Sequence, residues 1–347
     1  MDKELQQGIN TGFLPQEPRA TDFIAGASPL SPVALFPSGD SSADLPSDEA
    51  QNAVFFDTMA CVSFSALNMI ETQLRAMLRQ GLISKTTEDR MKELGYINAK
   101  GQINFSDRFT AKMSGTTRVG NYMTAVWDSI RKHGLLPESD WNFPREQRDP
   151  IFDWDDYYKE IPESLKAKAL EFLKLFDVGY EWLVSGGQAT TAQWREWLKY
   201  GPVQIATAIC APWSAEAVIP TCGAAVGHAT LLYKVDDVFQ IFDHYSGFRK
   251  RLALDYRIPY AMRGVVSAKV AADKPASVDS AFGMKLAGKL LLAVEDRGAV
   301  WYVTPTGKRA KIGTKSEEVE VFLQAIRDKL VPVVGITNKD LAKINPV

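Results

Sequence analysis

The stretch Thr58-Met59-Ala60-Cys61-Val62-Ser63-Phe64-Ser65-Ala66-Leu67 decides how this chain is read. Just upstream, residues 51–58 are polar and broken. Downstream, Phe64, Leu67, Ile70, Leu74 and Leu78 recur at the spacing of one apolar helix face. The pattern predicts a helix over 61–80 that opens on a thiol. A thiol at a helix N-terminus meets unpaired N–H groups and the positive end of the dipole, and both favour the reactive thiolate. A lone cysteine in apolar surroundings is more often a small core residue, so the weight falls on partners elsewhere.

The bulk properties narrow the setting. The chain has 347 residues, room for about two domains. It is 46% hydrophobic and 24% charged, an ordinary globular balance. A net charge of −2, with no basic run interleaved with aromatics, gives no reason to expect nucleic acid or an anionic membrane as partner. No apolar stretch approaches the roughly 20 residues that span a bilayer. Met1 to Gln7 has no apolar h-region, which argues against a signal peptide and for the cytoplasm of the producing cell. The three cysteines, Cys61, Cys210 and Cys222, do not make a disulfide framework. Cys210 and Cys222 could pair across a loop, but the expectation is free thiols in a reducing compartment. The three histidines, His133, His228 and His244, form no cluster with zinc-site spacing, so no metal is expected. Thr306-Gly307-Lys308 lacks the first glycine and helix of a phosphate loop, so no cofactor is expected either.

The order of elements points to α+β. Residues 1–50, rich in Pro, Ser, Gly and Asp, read as an extended arm on the surface of the next domain. Helices are expected near 86–94, over 121–132, over 162–175 and over 191–198. His133-Gly134 supplies a basic last turn and a glycine stop. Strands follow at 202–209, 229–235 and 238–242, with two more near 251–254 and 264–270. Helices first and an antiparallel sheet second suggest α+β, not alternating βαβ. The domain reading is an arm over 1–50, a main domain over 51–270, a linker over 271–282 and a small module over 283–347. In that module a hairpin turns at Glu295-Asp296-Arg297-Gly298, and a helix is expected over 316–330.

A cysteine nucleophile needs a base, and the base needs an orienter. His228, in Val226-Gly227-His228-Ala229, begins one strand, and Asp243 ends the next. A hairpin brings those ends side by side, so one imidazole nitrogen can donate to the carboxylate while the other faces Cys61. Strand alternation should point the neighbouring His244 away. His133 has no catalytic role in this reading. Ser114 and Thr116 read as a polar loop.

On these residues the sequence resembles the papain-like cysteine peptidases. Ala60-Cys61-Val62-Ser63-Phe64 is similar to the nucleophile motif, Gly201-Pro202-Val203-Gln204-Ile205-Ala206 to a core strand, and Gly227-His228-Ala229 to the histidine motif. Asp243-His244-Tyr245-Ser246-Gly247 is similar to the segment carrying the orienting amide. Gly120-Asn121-Tyr122, with Gly134-Leu135 and Glu138-Ser139-Asp140-Trp141, resembles the substrate-binding glycine, its helix and the segment beyond that helix. The resemblance covers roughly residues 50–250. It implies a papain-like fold: a helical subdomain with a central Cys helix and an antiparallel β-sheet or barrel subdomain, here with a small α+β module added. It implies a peptidase working through a thioester on a peptide or protein substrate, with Cys61, His228 and Asp243 catalytic. Gln51 is the candidate oxyanion donor, since position 55, where the family spacing puts that glutamine, is Phe55. Gly120 and Tyr245 are candidates for substrate binding. Losing the oxyanion amide would cost about 10² in rate.

The departures keep alternatives open. Val62 replaces an aromatic, Asp243 an asparagine and Tyr245 an indole. The alternative is a weakly active or inactive papain-fold structural or adhesion protein. Arg108 to Gly115 resembles stretches of bacteriophage-encoded papain-like proteins, which makes a virion component, with virion partners, one form of that alternative. The C-terminal module resembles small modules of bacterial surface and secreted proteins. A third reading, a cell-wall amidase of the NlpC/P60 type, fits less well because its Cys and His lie closer in sequence.

Overall fold

The computed structural model describes residues 8–26, 30, 32–52, 56–142 and 153–269, and beyond these only four strands. The chain divides into two compact units, Met1–Ala271 and Ala272–Val347. The expected linker and the expected helix over 316–330 lie outside the described residues.

The first unit is organised around the helix that opens on the thiol, α1 (Cys61–Arg79). Its expected apolar stripe is present, but the helix is buried nearly all round, with Ser63, Ser65, Asn68, Glu71, Thr72 and Gln73 enclosed as well. A helix can be buried so only if its polar groups find partners. The Ser65 hydroxyl donates back to the Cys61 carbonyl at 2.8 Å, and Gln73 Nε2 donates to Gly264 O at 2.9 Å. Gln204 Nε2 reaches Val62 O at 2.9 Å and Ser65 Oγ at 2.8 Å.

Four further helices come next: α2 (Lys85–Glu93) and α4 (Met123–His133), near where the sequence predicts them, and α3 (Asp107–Met113) and the short α5 (Trp154–Tyr157), where it reads as loop. Helix α3, in a region whose polar composition reads as loop, is capped by Ser106, whose Oγ accepts the Phe109 N–H at 3.0 Å. The single helix expected over 162–175 is two short ones, α6 (Glu163–Ala169) and α7 (Glu171–Leu175). They lead into a strand the periodicity hid, β1 (Phe176–Ser185). Helix α8 (Thr191–Leu198) comes next, closed by a capping box between Thr190 and Gln193.

The remaining strands are β2 (Val203–Ala208), β3 (Val218–Ile219), β4 (Val226–Val235), β5 (Phe239–Phe242), β6 (Arg249–Leu252) and β7 (Tyr260–Ala268). They form one sheet in the order β1-β7-β2-β4-β5-β6-β3, antiparallel except for β3 against β6. Helix α1 packs on the middle of this sheet, and a second apolar cluster under α8 fills its other face with Trp194, Ile205, Ile241 and Tyr256. The architecture is α+β.

The second unit has a four-stranded sheet of β8 (Leu290–Ala293), β9 (Ala299–Val303), β10 (Arg309–Lys311) and β11 (Val333–Ile336), ordered β10-β9-β8-β11. Strands β8 and β9 pair antiparallel, the hairpin read from the sequence, and β11 runs parallel to β8.

One cysteine expectation is overturned. Cys210 and Cys222 are joined by a disulfide, with Cα atoms 5.7 Å apart. The loop between β2 and β4 folds back on itself and brings the two sulfurs together, which a count of cysteines does not reveal.

Candidate active site

Cys61 is the first residue of α1, and the chain enters it by a strained turn. Met59 has φ 57°, a left-handed conformation that costs a residue other than glycine on the order of 1 kcal/mol. Asp57 holds the turn: its Oδ1 accepts the Met59 N–H at 2.8 Å and Gln51 Nε2 at 2.9 Å. The Tyr245 hydroxyl donates to the other carboxylate oxygen. A single carboxylate therefore ties the entry to the Cys helix to Gln51 and Tyr245.

Antiparallel pairing of β4 with β5 brings His228 and Asp243 together. His228 sits inside β4, two residues after its start, and Asp243 directly follows β5. His228 Nε2 donates to Asp243 Oδ1 at 2.5 Å, and both side chains are fully buried. The Ala229 N–H points at Cys61 Sγ, 3.3 Å away, so the strand carrying the imidazole also touches the thiol. Tyr245 lies over the imidazole with ring centroids 5.5 Å apart.

The structure thus brings Cys61, His228, Asp243, Gln51 and Tyr245 to one place, and it puts between them a segment that residue spacing does not foretell. The N-terminal arm runs through the site and not merely over the surface. Thr11 Oγ1 lies 2.6 Å from His228 Nδ1, the nitrogen expected to face the thiol. Because Nε2 carries the proton shared with Asp243, a neutral imidazole accepts from the Thr11 hydroxyl at Nδ1. The same hydroxyl lies 3.4 Å from Gly227 O. Thr11 O accepts from Gln51 Nε2 at 3.0 Å, and Thr11 N–H donates to Gly227 O at 2.9 Å.

Backbone pairing holds the arm on both sides. Asn121 N–H donates to Gly12 O at 2.8 Å, Leu14 N–H to Asn121 O at 3.0 Å, and Gly8 N–H to Ile209 O at 2.9 Å. The fit depends on two glycines with positive φ. A Cβ on Gly12 (φ +119°) would lie 2.1 Å from Met59 O, and one on Gly120 (φ +105°) would lie 2.2 Å from Gly12 O. Gly120 therefore contacts an extended backbone here, and that backbone is the chain's own.

The electrostatics follow from this burial. Loss of water pushes the Cys61 thiol well above its ordinary value, with Asp57 and Asp243 adding to the effect and the Ala229 N–H opposing it. Burial therefore works against the thiolate that the start of a helix would favour. Asp243 is pulled far below the usual carboxylate range: burial opposes ionisation, but His228 and Lys250 overcome it.

Three further residues belong to the site. Trp213 Nε1 donates to Asp243 Oδ2 at 2.8 Å, and its ring meets His228 edge-on. Lys250 Nζ lies 2.8 Å from the same Oδ2. His244, expected to point away, is fully buried, with its ring 6.0 Å from that of His228 and 5.4 Å from Phe64. The turn after Asp243 breaks strand alternation, and the His244 N–H donates to Asp243 Oδ1. Among the described residues, no group of three or more Cys, His, Asp or Glu side chains could hold a metal ion, and no helix is long and apolar enough to cross a membrane.

No protein-family model matches the sequence, and no curated protein matches it significantly. Solved structures do. Digestive procathepsin L 3 of the Tenebrio molitor larval midgut is 15% identical, with a TM-score of 0.41 over 75% of this chain and 75% of that one. Xylellain, a cysteine protease from Xylella fastidiosa, is 14% identical, with a TM-score of 0.44 over 78% of this chain and 99% of that one. ProCathepsin B S9 from Trypanosoma congolense is 10% identical, with a TM-score of 0.44 over 75% of this chain and 87% of that one. The chain is similar to these papain-like cysteine proteases in fold, and at such identity the likeness goes no further.

Proposed function

We propose that the chain is a cysteine peptidase of the papain-like kind, held in a covered state by its own N-terminal arm. The observation that carries this reading is the convergence of the candidate groups on one residue of the arm: His228 Nδ1 bonds the Thr11 hydroxyl, the Gln51 amide bonds the Thr11 carbonyl, and Cys61 Sγ lies against the strand that carries His228. A nucleophile, a base and an oxyanion donor gathered around one covered residue are what acyl transfer needs.

With the arm displaced, His228 Nδ1 takes the proton of Cys61, and the thiolate attacks the substrate carbonyl carbon. Gln51 Nε2 and the Cys61 N–H stabilise the oxyanion. His228 returns its proton to the leaving amine as the C–N bond breaks, and water then hydrolyses the thioester. Asp243 keeps the proton of His228 on Nε2, so Nδ1 is the basic nitrogen. Asn121 then pairs with the substrate backbone where it now pairs with Gly12 and Leu14, and Gly120 leaves room for that backbone to approach.

A second reading, a structural protein that keeps the fold without turnover, is favoured by one observation: Cys61 is wholly enclosed, and that burial pushes its thiol up. Labelling with an epoxysuccinyl peptide separates the two. Labelling of a Gly12→Ala chain, absent in Gly12→Ala/Cys61→Ala, supports the peptidase. No labelling of the displaced-arm chain supports the structural reading.

A further inference from the structure

Asp243 is surrounded more fully than an orienting carboxylate needs. Its Oδ1 takes His228 Nε2 and the His244 N–H, and its Oδ2 takes Trp213 Nε1 and Lys250 Nζ. Lys250 is on β6, across the sheet from His228, and its side chain is fully buried. A buried ammonium is costly unless paired and fully hydrogen-bonded. Lys250 satisfies both conditions: besides Asp243 it donates to Tyr245 O at 3.1 Å and Ser246 O at 2.9 Å. The Trp213 ring, 6.0 Å from Nζ, closes the fourth side.

We propose that Lys250 is a positioning residue that makes one neutral unit with Asp243, so that the carboxylate orients His228 without imposing a net negative charge on it. The catalytic consequence rests on reading Cys61 and His228 as nucleophile and base. An unbalanced carboxylate on Nε2 holds an imidazole in its charged form. A lysine across the same carboxylate removes that bias while leaving the hydrogen bond in place. The other groups facing His228 are Thr11 on the arm, Trp213 on the disulfide loop, and His244 and Tyr245 after β5, while Cys61 on α1 bonds the next residue, Ala229. Asp57 acts on Cys61 and on Tyr245 through the shared network. None of these places a second cation on Asp243 Oδ2.

The test is a charge-exchange cycle of Lys250→Met, Asp243→Asn and the double variant in the full chain. It is read by the NMR titration midpoint of His228 with labelled histidine, assigned through His133→Gln and His228→Asn. Lys250→Met is expected to raise the midpoint by about one unit or more, because the carboxylate is then uncompensated. Asp243→Asn, which leaves a bare ammonium, should lower it. The double variant, again neutral, should return to within about 0.3 units of the unaltered chain. Thermal melts follow all four chains, since either single change strands a buried charge. A double variant that fails to fold, or whose midpoint is a unit or more away, overturns the proposal. So does a folded Lys250→Met whose midpoint does not move. The titration needs no turnover, so a chain that titrates as expected but cleaves nothing would sink the peptidase reading and leave this one standing.

Discussion

The Thr11 hydroxyl lies 2.6 Å from Nδ1 of His228, on the one imidazole nitrogen that Asp243 leaves open. That contact couples the seat of the arm to the state of the base. Thr11→Val keeps the shape and removes the hydroxyl, leaving buried Nδ1 without a partner. Such a loss costs about 1–3 kcal/mol. The cost falls on the covered state alone, so the uncovered population should rise by roughly 5- to 150-fold. Iodoacetamide alkylation of Cys61 at neutral pH should speed up by the same factor. An unchanged rate would mean that the arm does not govern access to the thiol.

Gln51 makes its own expectation. Its Nε2 is held by Asp57 and already contacts a peptide carbonyl, that of Thr11. Gln51→Ala in a displaced-arm background should lower kcat by about 10² with little change in KM, since the bond strengthens as charge develops on oxygen. A proportional rise in KM with kcat intact would instead make Gln51 a substrate-binding residue.

Glu71, enclosed on α1, contributes a pH dependence of its own. Burial, then the neighbouring Glu49, raise its carboxyl well above 4.5. Its contribution to stability is fully present below 4.5 and is lost as pH rises through the raised folded value. Its Oε1 accepts the Phe105 N–H at 2.7 Å, a bond that a glutamine can keep. Glu71→Gln should therefore melt higher than the unaltered chain at pH 8 and show no such advantage at pH 4. Equal differences at both pH values would show that Glu71 folds already ionised.

The Cys210–Cys222 bridge closes a short loop, with a sequence separation of 12, that carries Trp213. Closing a loop of that order stabilises a fold by about 3 kcal/mol. Reduction should lower Tm by roughly 5–10 °C. The Trp213 fluorescence should also change below that transition, as its bond to Asp243 loosens. A melt indifferent to reductant would show the two cysteines unpaired in solution.

Much of the site could be read from residue order. The apolar spacing after Cys61 marked α1, and the strand lengths between His228 and Asp243 put those two at neighbouring ends of a hairpin. What stayed hidden was hidden for physical reasons. Thr11 lies in an arm with no periodicity, and its role depends on close backbone approach at Gly12 and Gly120. Lys250 stands between Arg249 and Arg251 and reads as one more solvated charge, yet alternation in β6 buries it and exposes its neighbours. Strand β1 follows α7 without a break, so helical periodicity over 162–175 runs straight into it. The burial of α1 on nearly every side came from partners far away in sequence, Gln204 and Gly264 among them.

The central claim is that Cys61 and His228 form a reactive pair once the arm leaves. Gly12→Ala tests it most directly, because its Cβ would lie 2.1 Å from Met59 O and the arm cannot keep its seat. The measurement is the rate of Cys61 alkylation against pH in the unaltered chain, in Gly12→Ala and in Gly12→Ala/His228→Asn. The account expects the unaltered chain to react slowly throughout. It expects Gly12→Ala to react fast well below the ordinary thiol value of about 8.5, and the double variant to lose that acidic limb. A Gly12→Ala chain whose thiol still reacts only around pH 8.5, or whose profile ignores the loss of His228, would contradict it.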